Sequence, residues 1–138
     1  MKPNFKILHI EDVKSDALMV EEELRKHQMH FECRVVETKK EFLAAVKNYM
    51  PDIILSDHSL PKFNSVDALK IVHEKGLNIP FILVTSPISE EFAVKVIKQG
   101  ADDYVLKDRL QRLPGAMLNA IKKKHCQNEQ LRLLEELK

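Results

Sequence analysis

The segment Ile53–Asp57, with the sequence IILSD, places an acidic residue directly after a short run of large aliphatic residues. The run is continuously apolar rather than alternating, which is typical of a strand buried on both faces of a parallel sheet. Comparable β-type runs recur along the chain, at Phe5–Ile10, Phe31–Thr38, Phe81–Val84 and Asp103–Leu106. The sequence therefore predicts five strands, of which Ile53–Ser56 is the third.

Between these runs, apolar residues recur at helical spacing, as in Ala17, Val20 and Leu24. Short buried strands that alternate with helices predict an α/β fold, in which helices cover both faces of a parallel sheet. Right-handed crossover connections leave few topologies, and the doubly wound sheet is the leading one.

Residues that suit helix ends flank the predicted helices. Thr38 and Glu41 have the spacing of a capping box before the second helix. Asn64 or Ser65 is expected to cap the third helix, and Ser89 the fourth. Glycines suited to left-handed C-terminal caps follow the third and fourth helices, at Gly76 and Gly100.

The composition is that of one globular domain. The chain has 138 residues, of which 44% are hydrophobic and 31% charged, so a disordered chain is excluded. A net charge of +1 gives no electrostatic argument for nucleic-acid or membrane partners. Cys33 and Cys126 lack the spacing of a metal or redox motif, and no apolar run approaches the ~20 residues of a membrane helix. We expect a cytoplasmic protein.

The last helix is predicted to be longer than the others. Pro114 suits its first turn, and no proline or glycine follows Gly115. We expect residues 1–124 to form the domain and residues 125–138 a helical C-terminal extension or linker. The leucines of this extension, mixed with Glu and Lys, fit either a frayed polar tail or the start of a coiled coil, and two heptads do not decide between them.

Polar side chains follow four of the five predicted strands. Glu11 and Asp12 follow the first strand, Asp57 the third, Thr85 the fourth and Lys107 the fifth. Ligands of a doubly wound sheet bind beyond the carboxyl ends of the strands. Each residue alone has a commoner explanation, such as helix capping, a turn or solvation, so the prediction of a site rests on their joint occurrence.

Three carboxylates against one lysine make this cleft acidic, and a hard divalent cation would relieve the repulsion. Mg²⁺ fits, with Asp12 and Asp57 as direct ligands, Glu11 acting through a water, and the backbone carbonyl of Ser59 as a further oxygen. With the ion bound, Asp57 can be a nucleophile toward phosphorus. The lysine and the threonine would then stabilise the phosphoryl oxygens in transit.

Four segments make the chain resemble response regulator receiver domains, the CheY-like domains of two-component signalling, over residues 6–124. They are Ile7–Asp12 (ILHIED), Asp52–Pro61 (DIILSDHSLP), Ile79–Ser86 (IPFILVTS) and Gly100–Lys107 (GADDYVLK). The resemblance implies a flavodoxin-like fold with a five-stranded parallel sheet of order 2-1-3-4-5, five helices and an extended last helix.

The resemblance also implies residue roles. Asp57 is the phosphoacceptor, phosphorylated by a phospho-histidine donor, and Glu11 and Asp12 form the acidic pocket for Mg²⁺. The switch hydroxyl, the switch aromatic and the phosphate-contacting lysine are Thr85, Tyr104 and Lys107. Such a module catalyses only its own phosphotransfer and dephosphorylation, so it is not an enzyme acting on a pool of substrate. Its partners are a histidine kinase or phosphotransfer protein and a downstream output protein or domain. A homodimer through the last or fourth helix is a further hypothesis.

The chain departs from the family pattern at several positions. Asp108 stands where proline usually follows the lysine, and Ser65 where glycine usually begins the third helix. Ser59 and Pro87 offer no strong group to orient an attacking water, which predicts a long-lived phosphoryl state. His58 is interpreted as a loop residue rather than a phosphoryl relay.

Two other classes of function are weaker. An adaptor that keeps the fold without the chemistry is favoured by Asp108 and Ser65, but the acidic pair, the acceptor, the threonine and the lysine argue against it. An Mg²⁺-dependent phosphatase with an aspartate nucleophile needs a second acid where Ser59 stands. A DNA-binding output domain does not fit within 138 residues, so we expect a stand-alone receiver or a piece of a longer chain.

Overall fold

The computed structural model describes residues 5–57, 63–86 and 90–137. In these ranges five parallel strands form one sheet of order β2-β1-β3-β4-β5, which confirms the predicted topology. The strands are β1 (Phe5–Ile10), β2 (Phe31–Val36), β3 (Ile53–Ser56), β4 (Phe81–Thr85) and β5 (Asp103–Leu106).

Five α-helices and one 3₁₀-helix connect or follow the strands. They are α1 (Lys14–Lys26), α2 (Lys39–Asn48), α3 (Ser65–Glu74), α4 (Glu90–Lys98), the 3₁₀-helix (Lys107–Arg112) and α5 (Leu113–Glu136). Helices α1 and α5 pack on one face of the sheet, and α2, α3 and α4 on the other. Within the described ranges, the helices are too short or too polar to cross a membrane.

Two hydrophobic clusters lie on opposite faces of the sheet, because successive side chains of a strand point to opposite faces. On the α1/α5 face, Ile7, Leu55 and Val105 are fully buried. On the other face the rings of Phe42 and Phe63 pack with centroids 5.3 Å apart. All residues of β3 and β4 are buried, as expected for central parallel strands.

Side-chain caps start two helices as the sequence predicts. The N–H of Glu41 donates to the Thr38 hydroxyl, and the Glu41 carboxylate accepts from both that hydroxyl and the N–H of Glu37. Asn64, rather than Ser65, caps α3 and accepts from the N–H of Asp67. The predicted cap Ser89 lies outside the described residues.

Two glycines take the left-handed conformation predicted for helix ends. Gly76 has φ = 64° after α3, and Gly100 has φ = 117° after α4. At Gly100 a Cβ atom would stand 2.0 Å from Nε2 of His73, so a larger residue would also require this side chain to move.

Two strand boundaries differ from the predictions. Strand β2 ends at Val36, two residues before the predicted Thr38, because Thr38 becomes the N-cap of α2. Strand β4 includes Thr85, which the sequence prediction placed just after it, because Thr85 still pairs with Leu106. Helix α5 begins at Leu113, which packs in the core, and Pro114 lies in its first turn as predicted.

Helix α5 changes its surroundings along its length. Its buried residues end at Ala120, and every residue from His125 to Leu137 is exposed. The second half of this 24-residue helix therefore gains its ordering from local interactions, including ion pairs of Arg132 with Glu129 and with Glu136.

Candidate functional site

The site lies at the carboxyl edge of the sheet, where backbone pairing continues one residue beyond β1 and β3. The N–H of Asp57 donates to the carbonyl of Ile10 at 3.0 Å, and the N–H of Glu11 donates to the carbonyl of Val36 at 3.0 Å. These bonds fix the first residues after the two neighbouring strands. The side chains of Glu11 and Asp57 are thereby held on the α1/α5 face of the sheet.

Three carboxylates meet at this edge. Glu11, Asp12 and Asp57 each offer an oxygen, and these atoms lie within 4.8 Å of one another. Glu11 is 1% exposed and Asp57 6% exposed, whereas Asp12 is closer to solvent. Clustered carboxylate oxygens are the ligands that hard cations such as Mg²⁺ prefer, so the donor set fits that ion. The further ligand predicted at Ser59 lies outside the described residues.

Lys107 reaches into the cluster from the end of β5. Its Nζ lies 2.8 Å from Oε2 of Glu11, 3.4 Å from Oδ2 of Asp57 and 2.7 Å from Oδ2 of Asp16. The lysine side chain is only 10% exposed, so water screens these contacts little. The ammonium group therefore provides a positive charge that offsets part of the negative charge of these carboxylates.

Burial and pairing shift the pKa values of the two most enclosed charges. Burial raises the pKa of Glu11 above its usual value, although the hydrogen bond from Lys107 partly offsets this. Burial alone would lower the pKa of Lys107, but the hydrogen bonds to Asp16 and Glu11 and the charge of Asp57 raise it above its usual value. Lys107 is thus protonated across the physiological pH range.

The sequence prediction missed Asp16. This residue lies in the first turn of α1, and its carboxylate accepts a hydrogen bond from Lys107. It stands four residues beyond the Glu11–Asp12 pair, and the prediction considered only residues that directly follow a strand. The available signal is the place of Asp16 in the first turn of the helix that follows β1, because that turn begins at the same edge of the sheet.

Thr85 and Tyr104 lie on the other face of the sheet. Thr85 is fully buried at the end of β4, and its hydroxyl oxygen has no hydrogen-bond partner among the described residues. Tyr104 is partly buried in β5 and packs against the cluster formed with α2, α3 and α4. Since Leu83 pairs with Tyr104 and Thr85 with Leu106, the two predicted switch residues are near neighbours in adjacent strands.

His9 is a second buried polar residue next to the site. It is fully buried in β1, and neither ring nitrogen has a partner among the described residues. Burial lowers the pKa of His9 to about 4, and the charge of Lys107 adds to this, while Asp57 and Asp16 act in the opposite direction. The imidazole is therefore neutral at neutral pH.

Two departures from the expected pattern, Asp108 and Ser65, lie within the described residues. No cis peptide bond occurs within the described part of the chain, so the Lys107–Asp108 bond is trans, and Lys107 still reaches the carboxylates. Ser65 is fully buried at the start of α3, whose cap is Asn64. His58 and Pro87 fall outside the described residues.

Comparison with known proteins identifies relatives over most of the chain. The family model described as the response regulator receiver domain matches residues 7–118. The regulatory protein LuxO of Vibrio cholerae is 30% identical over 115 residues, which are 83% of this chain and 25% of LuxO. The DNA-binding response regulator MtrA of Mycolicibacterium smegmatis is 30% identical over 102 residues, which are 74% of this chain and 43% of MtrA. The chain thus spans less than half the length of these relatives.

Solved structures share the fold. The signal receiver domain of a LuxO repressor protein from Vibrio parahaemolyticus has a TM-score of 0.79 at 22% identity, covering 91% of this chain and 96% of that domain. The receiver domain of the Francisella response regulator 1452 has a TM-score of 0.75 at 25% identity, covering 87% of this chain and 98% of that domain.

Proposed function

This chain belongs to the response regulator receiver family, and we propose that Asp57 is its phosphoacceptor, in a reaction that depends on Mg²⁺. The main support for this proposal is the arrangement of charged side chains in the pocket. Asp57 is held beside Glu11 and Asp12, and Nζ of Lys107, directly after β5, lies 2.8 Å from Glu11 and 3.4 Å from Asp57. The module receives a phosphoryl group and changes a protein-binding surface, as a signalling component of a two-component system.

The chemistry assigned to Asp57 is in-line phosphoryl transfer. A carboxylate oxygen of Asp57 forms a bond to the phosphorus of a phosphohistidine, while the bond from phosphorus to the imidazole nitrogen breaks and its electron pair stays on that nitrogen. Lys107 offers its positive charge within 3.4 Å of the attacking carboxylate, where it offsets charge on the transferred oxygens. The neighbouring strands β1 and β3 hold the Asp57 carboxylate in place and limit its contact with water.

Glu11, Asp12 and Asp57 would hold the divalent ion. When bound, Mg²⁺ supplies positive charge that neutralises the carboxylates and the phosphoryl oxygens. The burial of Glu11 supports this assignment, because a carboxylate that is 1% exposed needs cations around it to stay ionised. Lys107 supplies one such cation, and the metal would supply the other.

Thr85 and Tyr104 are assigned to the switch. The buried Thr85 hydroxyl lacks a partner among the described residues, so a phosphoryl oxygen on Asp57 offers it one. Movement of Thr85 toward the phosphoryl group would open space beside β5, which the Tyr104 ring could fill. The negative charge added at Asp57 would thus shift the equilibrium between two conformations of Thr85 and Tyr104.

The partners follow from this role. The phosphoryl donor is a histidine kinase or phosphotransfer protein, and the output is a downstream protein or domain. We assign residues 1–124 to the receiver domain and 125–138 to an extension or linker, and the exposure of every residue from His125 to Leu137 supports this division. A homodimer through α4 or α5, a cytoplasmic location and the absence of catalysis on other substrates remain predictions.

Transfer from a phosphohistidine protein tests the donor class. Purified chain is mixed with a phosphorylated histidine phosphotransfer protein, with Mg²⁺ or with a chelator, and both masses are followed. We expect the donor to lose and this chain to gain one phosphoryl group only with Mg²⁺.

Two variants make this experiment specific. Asp57→Asn should accept nothing, whereas Asp67→Asn, which changes an exposed acid at the start of α3, should accept as wild type. Transfer to Asp57→Asn, or transfer of equal extent in the chelator, would contradict the proposal.

A further inference from the structure

Lys107 is surrounded by three carboxylates, one of which has no part in the proposed chemistry. Its Nζ lies 2.7 Å from Oδ2 of Asp16 and 2.8 Å from Oε2 of Glu11, but 3.4 Å from Oδ2 of Asp57. The distance to Asp57 exceeds that of a good hydrogen bond, whereas the distance to Asp16 is typical of a charge-assisted one. The lysine is therefore held more closely by Asp16 than by the phosphoacceptor.

Asp16 differs from Glu11 and Asp57 in its position. It lies outside the cluster of carboxylates that could share a metal ion, and it belongs to α1 rather than to a strand end. Its neighbour Ala17 is buried, and Val20 and Leu24 anchor the same helix on the sheet. The Asp16 carboxylate is thus carried by a fixed helix and does not need to move with Asp57.

An ammonium group has three N–H donors, and three carboxylates already surround this one. A phosphoryl group on Asp57 adds oxygens and negative charge that attract the same ammonium. The close contacts of Lys107 are those to Asp16 and Glu11, so a move of its ammonium group toward a phosphoryl group on Asp57 lengthens these contacts. Asp16 lies outside the cluster of possible metal ligands and belongs to α1, so we expect its contact with Lys107 to be the one that is lost.

We propose that Asp16 is a positioning residue that competes with the phosphoryl group for Lys107. The inference rests on the proposed function of Asp57. In the unphosphorylated protein, Asp16 draws the ammonium toward α1, which disfavours the phosphorylated state relative to a chain without this carboxylate. Phosphorylation transfers Lys107 toward Asp57 and frees Asp16, so the start of α1 responds to the state of the acceptor.

Binding of a phosphoryl mimic measures this competition. Wild-type chain and Asp16→Asn are titrated with fluoroberyllate in the presence of Mg²⁺, and the affinity is measured by calorimetry. We expect Asp16→Asn to bind the mimic about fivefold more tightly, because one partly buried ion pair no longer competes. The acyl phosphate formed from a small phosphodonor should also decay more slowly in this variant.

Two further variants separate the proposal from a general effect of charge or folding. Glu22→Gln removes the same charge from an exposed position on the same helix and should bind the mimic as wild type does. In a Lys107→Gln background, where the contested ammonium is absent, Asp16→Asn should leave the affinity unchanged. A purely structural role of Asp16 would instead weaken binding in both backgrounds.

The outcomes distinguish this inference from the proposed function. If wild type binds the mimic and Asp16→Asn binds it equally or less tightly, the competition is refuted while the role of Asp57 stands. An increase that persists in the Lys107→Gln background also refutes it. If wild type neither binds the mimic nor gains a phosphoryl group, the proposed function and this inference fail together.

Discussion

At the scale of single residues, the site contains polar side chains that do not serve stability. Thr85 and His9 are fully buried, and their polar side-chain atoms lack partners among the described residues. A buried polar group without a partner costs about 1–3 kcal/mol. Such residues are explained more readily by the functional state than by the resting fold.

Replacing the unpartnered hydroxyl of Thr85 should make the protein more stable and less responsive. Thr85→Val keeps the shape of the side chain, so we expect the free energy of unfolding in urea to rise by about 1 kcal/mol. The response of Tyr104 to the phosphoryl mimic should be lost. A Tyr49→Phe background leaves Tyr104 as the sole tyrosine in a chain without tryptophan, so its fluorescence reports the switch. Thr85→Ser should retain the response, and a Thr85→Val protein that responds fully would contradict the assignment.

His9 should make the metal-free protein sensitive to mild acid. Its pKa is about 4 in the folded chain, against 6.5 for the free side chain, because of burial and the nearby Lys107. Between these pH values the unfolded state binds a proton that the folded state does not, so stability falls as the pH falls. We expect His9 to account for a loss of about 2 kcal/mol between pH 7 and pH 4.5.

Urea unfolding at both pH values, in the presence of a chelator, checks this prediction. His9→Leu should lose less stability than wild type over the same range. His125→Gln, which alters an exposed histidine in the extension, should follow wild type. Equal acid sensitivity of wild type and His9→Leu would show that other groups dominate.

The site residues differ in how far the sequence could predict them. Glu11, Asp57 and Lys107 directly follow predicted strands, so the topology alone brings them to one edge of the sheet. Asp16 was missed, because its approach depends on how α1 packs against the sheet. The lack of a hydrogen-bond partner for Thr85 is likewise a property of the packed structure and has no signature in the sequence.

At the scale of elements, local chemistry predicted the starts of α2 and α3. The Thr38–Glu41 capping box is present. Because Thr38 caps α2, β2 stops before its predicted end. For α3 the sequence allowed Asn64 or Ser65, and only the packing of Ser65 into the core decides between them. The local sequence pattern thus predicts where a helix is capped, whereas burial decides which of two adjacent residues forms the cap.

Removal of the extension should leave the receiver domain folded. Residues 125–137 are exposed, and the buried face of α5 ends at Ala120. A chain that stops after Lys124 should therefore lose less than about 1 kcal/mol of unfolding free energy, because little apolar surface becomes newly exposed. Chemical denaturation and the rate of phosphorylation measure the outcome, and a loss above about 2 kcal/mol would show that the extension belongs to the domain.

Light scattering on the same two chains tests the homodimer hypothesis. Exposed Leu131, Leu134 and Leu137 give the extension an apolar surface. Association through this segment predicts a mass above that of the monomer for the full chain only. A concentration-independent monomer mass for both chains, with and without a phosphoryl mimic, would exclude it.

At the scale of the whole molecule, the parallel sheet is what joins these parts. One edge gathers Glu11, Asp12, Asp57 and Lys107, while Tyr104 packs on the face covered by α2, α3 and α4. The alternation of elements predicted a doubly wound sheet and the family resemblance implied its strand order, which the structure confirms. Ser59 lies outside the described residues, so the carbonyl ligand and the lifetime of the phosphoryl state remain predictions.

We propose above all that Asp57 accepts a phosphoryl group in a pocket that requires Mg²⁺. The most direct test is the intact mass of the protein after incubation with a small phosphodonor, with Mg²⁺ or a chelator, beside Asp57→Asn. We expect a gain of one phosphoryl group in wild type with Mg²⁺, and none in the chelator or in Asp57→Asn. A chain that gains no mass under any condition, or gains it equally in Asp57→Asn, would refute the role of Asp57 and favour a phosphorylation-independent adaptor.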